Sequence, residues 1–122
     1  MKGYCYLNYH QKWLIGDCDE EVGRYYRWLI KSFRAATSLQ APLNGPHITV
    51  VAGKYEDNIR REYWYRHANK KVEFEYGPEL ETNGVYYWLP VKSLFLSDIR
   101  LELGLFPLPK YPFHLTVGNN KL

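Results

Sequence analysis

The chain of 122 residues carries only two cysteines, Cys5 and Cys18, and they stand at no metal-type spacing. Cys5 lies in an apolar, strand-like run and reads as a buried free thiol. No apolar run approaches the ~20 residues of a membrane span. Met1-Lys2 leads straight into Gly3-Tyr4 without a leader pattern, so a cytoplasmic protein with no membrane partner is expected. Sixteen Lys and Arg stand against thirteen Asp and Glu, a net +3 that tolerates an anionic ligand. No dense basic cluster marks a surface for duplex DNA. No low-complexity stretch or internal linker divides the chain, and its length suits one core, so a single domain over 1–122 is expected.

Aromatic residues, by contrast, are abundant at 17%, with twelve Tyr and four Trp. Their apolar bodies and polar tips suit half-buried sheet faces and suit stacking on bases. Composition does not separate those uses.

Residues 3–9 read as a first strand, with Cys5 and Leu7 on one face and Tyr4, Tyr6 and Asn8 on the other. A loop follows in which Trp13, Leu14 and Ile15 touch the core. The spacing of Val22, Tyr25, Tyr26, Leu29, Ile30 and Phe33 predicts a helix over about 19–36. Asp17 or Asp19 serves as N-cap, Glu20 and Glu21 suit the positive first turn, and Gly23 weakens the helix slightly. Residues 38–46, rich in Pro, Asn and Gly, read as a loop. Strands are expected at 47–53, 72–76, 85–89 and 113–118. Short helices are expected at 56–67 and, capped by Ser97 and stopped by Gly104, at 98–103. Helices mixed with antiparallel strands indicate the α+β class.

Two segments repeat one pattern: His47-Ile48-Thr49-Val50 and His114-Leu115-Thr116-Val117. In a strand, residues i and i+2 share a face. Each segment therefore buries its aliphatic residues and turns an imidazole and a hydroxyl outward. If the strands are neighbours, four polar groups converge on one groove. Those groups suit phosphodiester cleavage. One neutral imidazole takes a proton from the attacking hydroxyl or water, and one protonated imidazole gives a proton to the leaving oxygen; histidine titrates near pH ~6.5, so both forms are accessible. The threonine hydroxyls bind the non-bridging oxygens and hold the phosphorus in line. A single His-x-Thr is weak, but two copies, each continuing into Val and preceded by a proline-containing loop, carry weight. No metal or other cofactor is required, and with two matched histidines, no cysteine pair and no carboxylate in either motif a zinc site is disfavoured. His10 and His67 lack the pattern and read as surface residues.

Paired H-x-[ST]-aliphatic motifs far apart in a small chain resemble the 2H phosphoesterase superfamily, the LigT-like proteins. The segments PHITVVAGK and PFHLTVGN are similar to the phage-associated "Swiss Army Knife" branch. The resemblance implies a bilobal fold, with antiparallel sheets around a central groove, flanking helices and one motif per lobe. It implies His47 and His114 as acid and base, and Thr49 and Thr116 as phosphate ligands. Family substrates include RNA 2′,3′-cyclic phosphates, 2′-5′ linkages and cyclic nucleotides. Related phage proteins of the anti-CBASS type degrade cyclic oligonucleotide immune signals, which would place the protein in host cytoplasm; RNA repair or processing is the other role.

The expected partner is a nucleotide or short RNA, and the expected state is a monomer. Groove-lining candidates on the histidine face are Tyr4 and Tyr6 from the first strand and Tyr86 and Trp88 from 85–89. Any of these rings can stack on a base, worth ~1–3 kcal/mol. Lys92 can sense phosphate charge. Glu73 and Glu75 are expected on a solvent face away from the groove. The alternative function is a non-catalytic scaffold that sequesters a nucleotide or RNA end; intact histidines in both motifs argue against it.

Overall fold

A computed structural model describes residues 1–34, 39–42, 45–54, 56 and 58–120. Its strands are β1 (Lys2–His10), β2 (Trp13–Cys18), β3 (His47–Val51), β4 (Lys71–Tyr76), β5 (Glu81–Thr82), β6 (Tyr86–Lys92) and β7 (His114–Asn119). Two helices are present among the described residues, α1 (Glu20–Arg34) and α2 (Leu94–Glu102). No helix there is long and apolar enough to cross a membrane.

The strands run in the order β4-β1-β2-β3-β7-β6-β5, every pair antiparallel, and β4 also pairs with β6 through Glu75–Lys92 and Tyr76–Val91. That last pairing closes six strands into a barrel, with β5 a short flap on β6. The bilobal α+β architecture with one motif per lobe is therefore incorrect: the protein is a mostly-β closed barrel with two helices. Closure removes sheet edges that would otherwise expose unpaired backbone groups.

Strand alternation fills the interior. Cys5 and Leu7 of β1, Leu14 of β2, Ile48 and Val50 of β3, Val72 and Phe74 of β4, Leu89 and Val91 of β6, and Leu115 and Val117 of β7 are all buried in one cluster. A barrel this narrow has room only for side chains. The segment expected as a loop at 11–18 is instead strand β2. It lies so close to β1 that a Cβ on Gly16 would stand 2.6 Å from Cys5 Sγ, and glycine is what admits the thiol.

Helix α1 begins where Asp19 Oδ1 accepts the Glu21 backbone N–H at 3.0 Å, so Asp19 is the cap and Asp17 lies within β2. Tyr26 and Ile30 join the barrel cluster, whereas Tyr25 is exposed; the side chain of Phe33 lies outside the described residues, as do parts of the 38–46 loop. Helix α2 starts earlier than the sequence suggests: Leu96 N–H donates to Ser93 Oγ, so Ser93 rather than Ser97 is the cap. It ends before Gly104, whose φ of +83° suits a residue without a Cβ. Among the described residues of 56–67, where a helix is expected, only a single 3₁₀ turn, Arg61–Tyr63, forms.

Arg100 of α2 is 2% exposed and ties the helix to the barrel. Its guanidinium donates to Val50 O at 2.7 Å and Phe106 O at 2.8 Å, and forms a two-pronged pair with Glu56 at 2.5 and 3.0 Å. Glu56 in turn accepts from Ala52 N–H.

Candidate active site on the barrel exterior

Strands β3 and β7 are hydrogen-bonded neighbours, with His47 opposite Thr116 and Ile48 opposite Leu115. Ile48 and Leu115 point into the core, so the imidazoles and hydroxyls share the outer face. Thr49 and His114 lie just beyond this paired stretch, each two residues from the other member of its own motif. His114 is two residues from Thr116, the partner of His47, so the two histidines are diagonal neighbours on adjacent strands, a relation that long side chains bridge. All four side chains are half-buried.

Both rings are oriented by the same kind of contact. His47 Nδ1 lies 2.9 Å from Gly45 O, and His114 Nδ1 lies 2.9 Å from Pro112 O. A carbonyl oxygen only accepts, so Nδ1 carries the hydrogen in each ring and Nε2 is the atom left for chemistry. Gly45 adopts φ +78°, a conformation favouring glycine, in the turn that leads into β3.

Helix α1 supports both motif strands. Arg27, paired with Glu20 at 2.7 Å, donates to Val117 O in β7 at 2.9 Å. A Cβ on Gly23 would lie 2.6 Å from Cγ of Pro46, so this glycine allows α1 to approach the residue before His47. The small loss of helix propensity expected at Gly23 is offset by that close packing.

The outer face carries an unbroken cross-strand row: Tyr6 (β1), Asp17 (β2), His47 (β3), Thr116 (β7), Trp88 (β6) and Glu81 (β5). Two of the proposed stacking residues thus share a row with the motifs. Trp88 is the nearer, its ring centroid 5.8 Å from that of His114 at a 60° tilt. Glu81 accepts its indole N–H at 2.7 Å and fixes the ring. Tyr6 is exposed two strands from His47.

The other candidates lie further out. Tyr4 stands opposite Glu73, with Lys71 Nζ 4.4 Å above its ring. Tyr86 is exposed opposite Asn119 at the start of β6. Lys92 is at the far end of β6 opposite Glu75, on the β4 seam. Glu73, paired with Lys2 at 3.4 Å, and Glu75 are both exposed on β4, a different strand from either histidine.

Sequence reasoning missed a groove of about 430 Å³ beside His47, lined by Asn8, His10, Ile15 and Asp17. Asn8 Nδ2 donates to Asp17 Oδ2 at 3.3 Å. The signal available was the spacing of Leu14, Gly16 and Cys18 at every second residue, which marks β2 as a strand and turns Ile15 and Asp17 outward. His67 is half-buried rather than a free surface residue, 3.2 Å from Glu102 through Nε2. A second groove of about 430 Å³, lined in part by Lys12, Arg61 and Trp64, contains neither motif. Among the described residues no three His, Cys, Asp or Glu side chains are grouped to hold a metal ion. No protein-family model, no curated protein and no solved structure matches the chain.

Proposed function

We propose that the protein is a phosphodiesterase that cleaves nucleotide diesters by paired-histidine acid–base catalysis, sharing the chemistry of the 2H phosphoesterases on a barrel. The observation that carries the reading is the β3–β7 register, which joins two sequence-distant His-x-Thr pairs into one outward patch. The shared Nδ1 tethers add support, because they leave two Nε2 atoms for proton transfer.

For a ribonucleotide 3′-5′ diester, the nearest nucleophile is the substrate's own 2′-hydroxyl, already held beside the phosphorus. One histidine takes its proton at Nε2 as the 2′-oxygen bonds to phosphorus. The bond from phosphorus to the 5′-oxygen breaks, and the other histidine gives that oxygen a proton. A 2′,3′-cyclic phosphate is left. Thr49 and Thr116 hydroxyls donate to the non-bridging oxygens, where negative charge builds. Trp88 offers a face for one base. Cyclic di- and oligonucleotides with 3′-5′ linkages offer the same 2′-hydroxyl; in a 2′-5′ linkage the 3′-hydroxyl attacks instead, and for an RNA 2′,3′-cyclic phosphate water takes the nucleophile's place.

The test is incubation of pure protein in excess EDTA with a panel of these four substrate classes, followed by chromatography. Cleavage of at least one class supports the reading. Absence of cleavage across the panel, with the fold intact, sinks it.

A further inference from the structure

We propose that the groove over β1 and β2 binds a guanine base and that Asp17 is the residue selecting it; the placement of the phosphate rests on the phosphodiesterase reading above. The groove's volume of about 430 Å³ falls within the ~300–1,000 Å³ of small-ligand sites. It shares His47 as one wall. A diester whose phosphate lies between His47 and His114 must send one nucleoside toward β6, where Trp88 stands, and the other toward β2 and β1. Along the curved barrel surface three strand spacings of about 4.8 Å, about 14 Å in all, separate β2 from β6, so the two nucleosides lie on either side of the phosphate.

Asp17 sits directly opposite His47 on that second side. An ionised carboxylate only accepts hydrogen bonds. Beside an anionic phosphate it is unfavourable unless the ligand brings it N–H donors, so the group it meets is a base edge rather than the phosphate. Guanine alone among the four RNA bases presents two adjacent N–H donors on one edge, its ring N1–H and its 2-amino group, which match two carboxylate oxygens. Adenine and cytosine place a ring acceptor next to their amine, and uracil flanks its N–H with two carbonyls; each of these sets a lone pair against the carboxylate.

The surroundings hold Asp17 ready for that task. Asn8 donates to its Oδ2 and fixes the carboxylate plane, and lone pairs remain on both oxygens for a bidentate contact. Asp17 is half-buried, which strengthens the contact relative to open water. Ile15, also half-buried, supplies an apolar surface for the base. The helix-capping role open to Asp17 from sequence belongs to Asp19.

Two measurements test the assignment. The first compares cleavage rates for ribodinucleotides bearing guanine, inosine, adenine, cytosine or uracil on either side of the phosphate. Guanine should be preferred at one side by roughly 10-fold or more, and inosine, which lacks the 2-amino group, should fall between guanine and adenine. Asp17→Asn should remove the preference and Asn8→Ala should reduce it, with each variant's fold checked by thermal melting. The second measures calorimetric binding of guanosine and adenosine 3′- and 5′-monophosphates. Cleavage without a guanine preference, or with guanine and inosine equal, overturns the guanine site and leaves the phosphodiesterase standing. No cleavage, but tighter binding of guanosine monophosphate that Asp17→Asn abolishes, supports the site and removes the catalytic reading. Neither cleavage nor selective binding overturns both.

Discussion

His47 and His114 are anchored by one and the same contact: the Nδ1 of each ring lies 2.9 Å from the backbone carbonyl two residues earlier in the chain, Gly45 for one and Pro112 for the other. The two rings therefore present equivalent Nε2 atoms from neighbouring antiparallel strands. The proposed acid and base roles need two such atoms on opposite sides of one phosphate, and the β3–β7 register sets the two rings on adjacent strands.

Replacing either ring should stop the chemistry without unfolding the barrel. His47→Ala and His114→Ala should each reduce turnover by about 10²–10⁴-fold. Both rings are half-buried on the barrel exterior, so melting temperatures should stay close to wild type. Rate assays paired with thermal melts check this; near wild-type turnover in either variant would show that the ring takes no part.

The threonines should matter less. Thr49→Val and Thr116→Val keep the side-chain shape and remove one hydrogen bond to a charged oxygen, a loss of roughly 10- to 100-fold in kcat. Steady-state kinetics should rank both variants above the histidine variants. A threonine variant as inactive as His47→Ala would require a chemical role for that hydroxyl.

Arg100 should dominate stability while standing apart from the histidines. Arg100→Met leaves Glu56 without its guanidinium partner and Val50 O without a donor, a cost of about 3–5 kcal/mol. The double variant Arg100→Met with Glu56→Met removes the stranded charge and should recover part of that loss. Urea unfolding of the two single variants and the double variant measures the coupling.

The outward pairing of His with Thr, the inward pairing of Ile48 with Val50 and of Leu115 with Val117, and most of β1, β4, β6 and α1 follow from local alternation and helical spacing, and are readable in the sequence. Barrel closure is not. The β4–β6 pairing joins Tyr76 to Val91 with no local signature, because strand partners are chosen by how the whole sheet curls. Strand β2 reads weakly because Gly16 and Asp17 are poor strand formers, leaving the alternation of Leu14, Gly16 and Cys18 as its one signal; Gly16 is required by the Cys5 thiol packed against it. The expected 56–67 helix fails because Trp64 and Tyr65 turn toward Tyr9, their rings 4.8 and 5.3 Å from it, with Tyr65 at φ +69°. Nothing in the sequence around Arg100 signals that it is buried, since its acceptors come from β3, the 104–113 loop and Glu56.

Alkaline pH should reveal two phenols, one buried and one partly buried. Burial raises the pKa values of Tyr9 and Tyr26 above the ordinary 10.0; near Tyr9 the His67 backbone N–H lowers it and Glu102 raises it further, and near Tyr26 the other tyrosines raise it. The folded state then holds its phenolic protons more tightly than the unfolded chain does. Their contribution to stability is complete below about pH 10 and is lost as pH rises through the folded values. Tyr9→Phe and Tyr26→Phe should flatten that alkaline decline. Tyr9→Phe also gives up the 3.3 Å bond from His67 N–H, costing up to about 1 kcal/mol at neutral pH. Urea midpoints measured between about pH 8 and 11 decide it; an unchanged alkaline slope in both variants would contradict the assignment.

The central claim is that two histidines, without a divalent cation, drive the substrate's own 2′-hydroxyl onto phosphorus. The most direct measurement is a product time course in excess EDTA for the ribodinucleotide cut fastest and for its 2′-deoxy analogue at the same linkage. The account predicts that the ribose form passes through a 2′,3′-cyclic phosphate while the deoxy form resists. Comparable cleavage of the deoxy analogue, or activity that EDTA abolishes and a divalent cation restores, would contradict it.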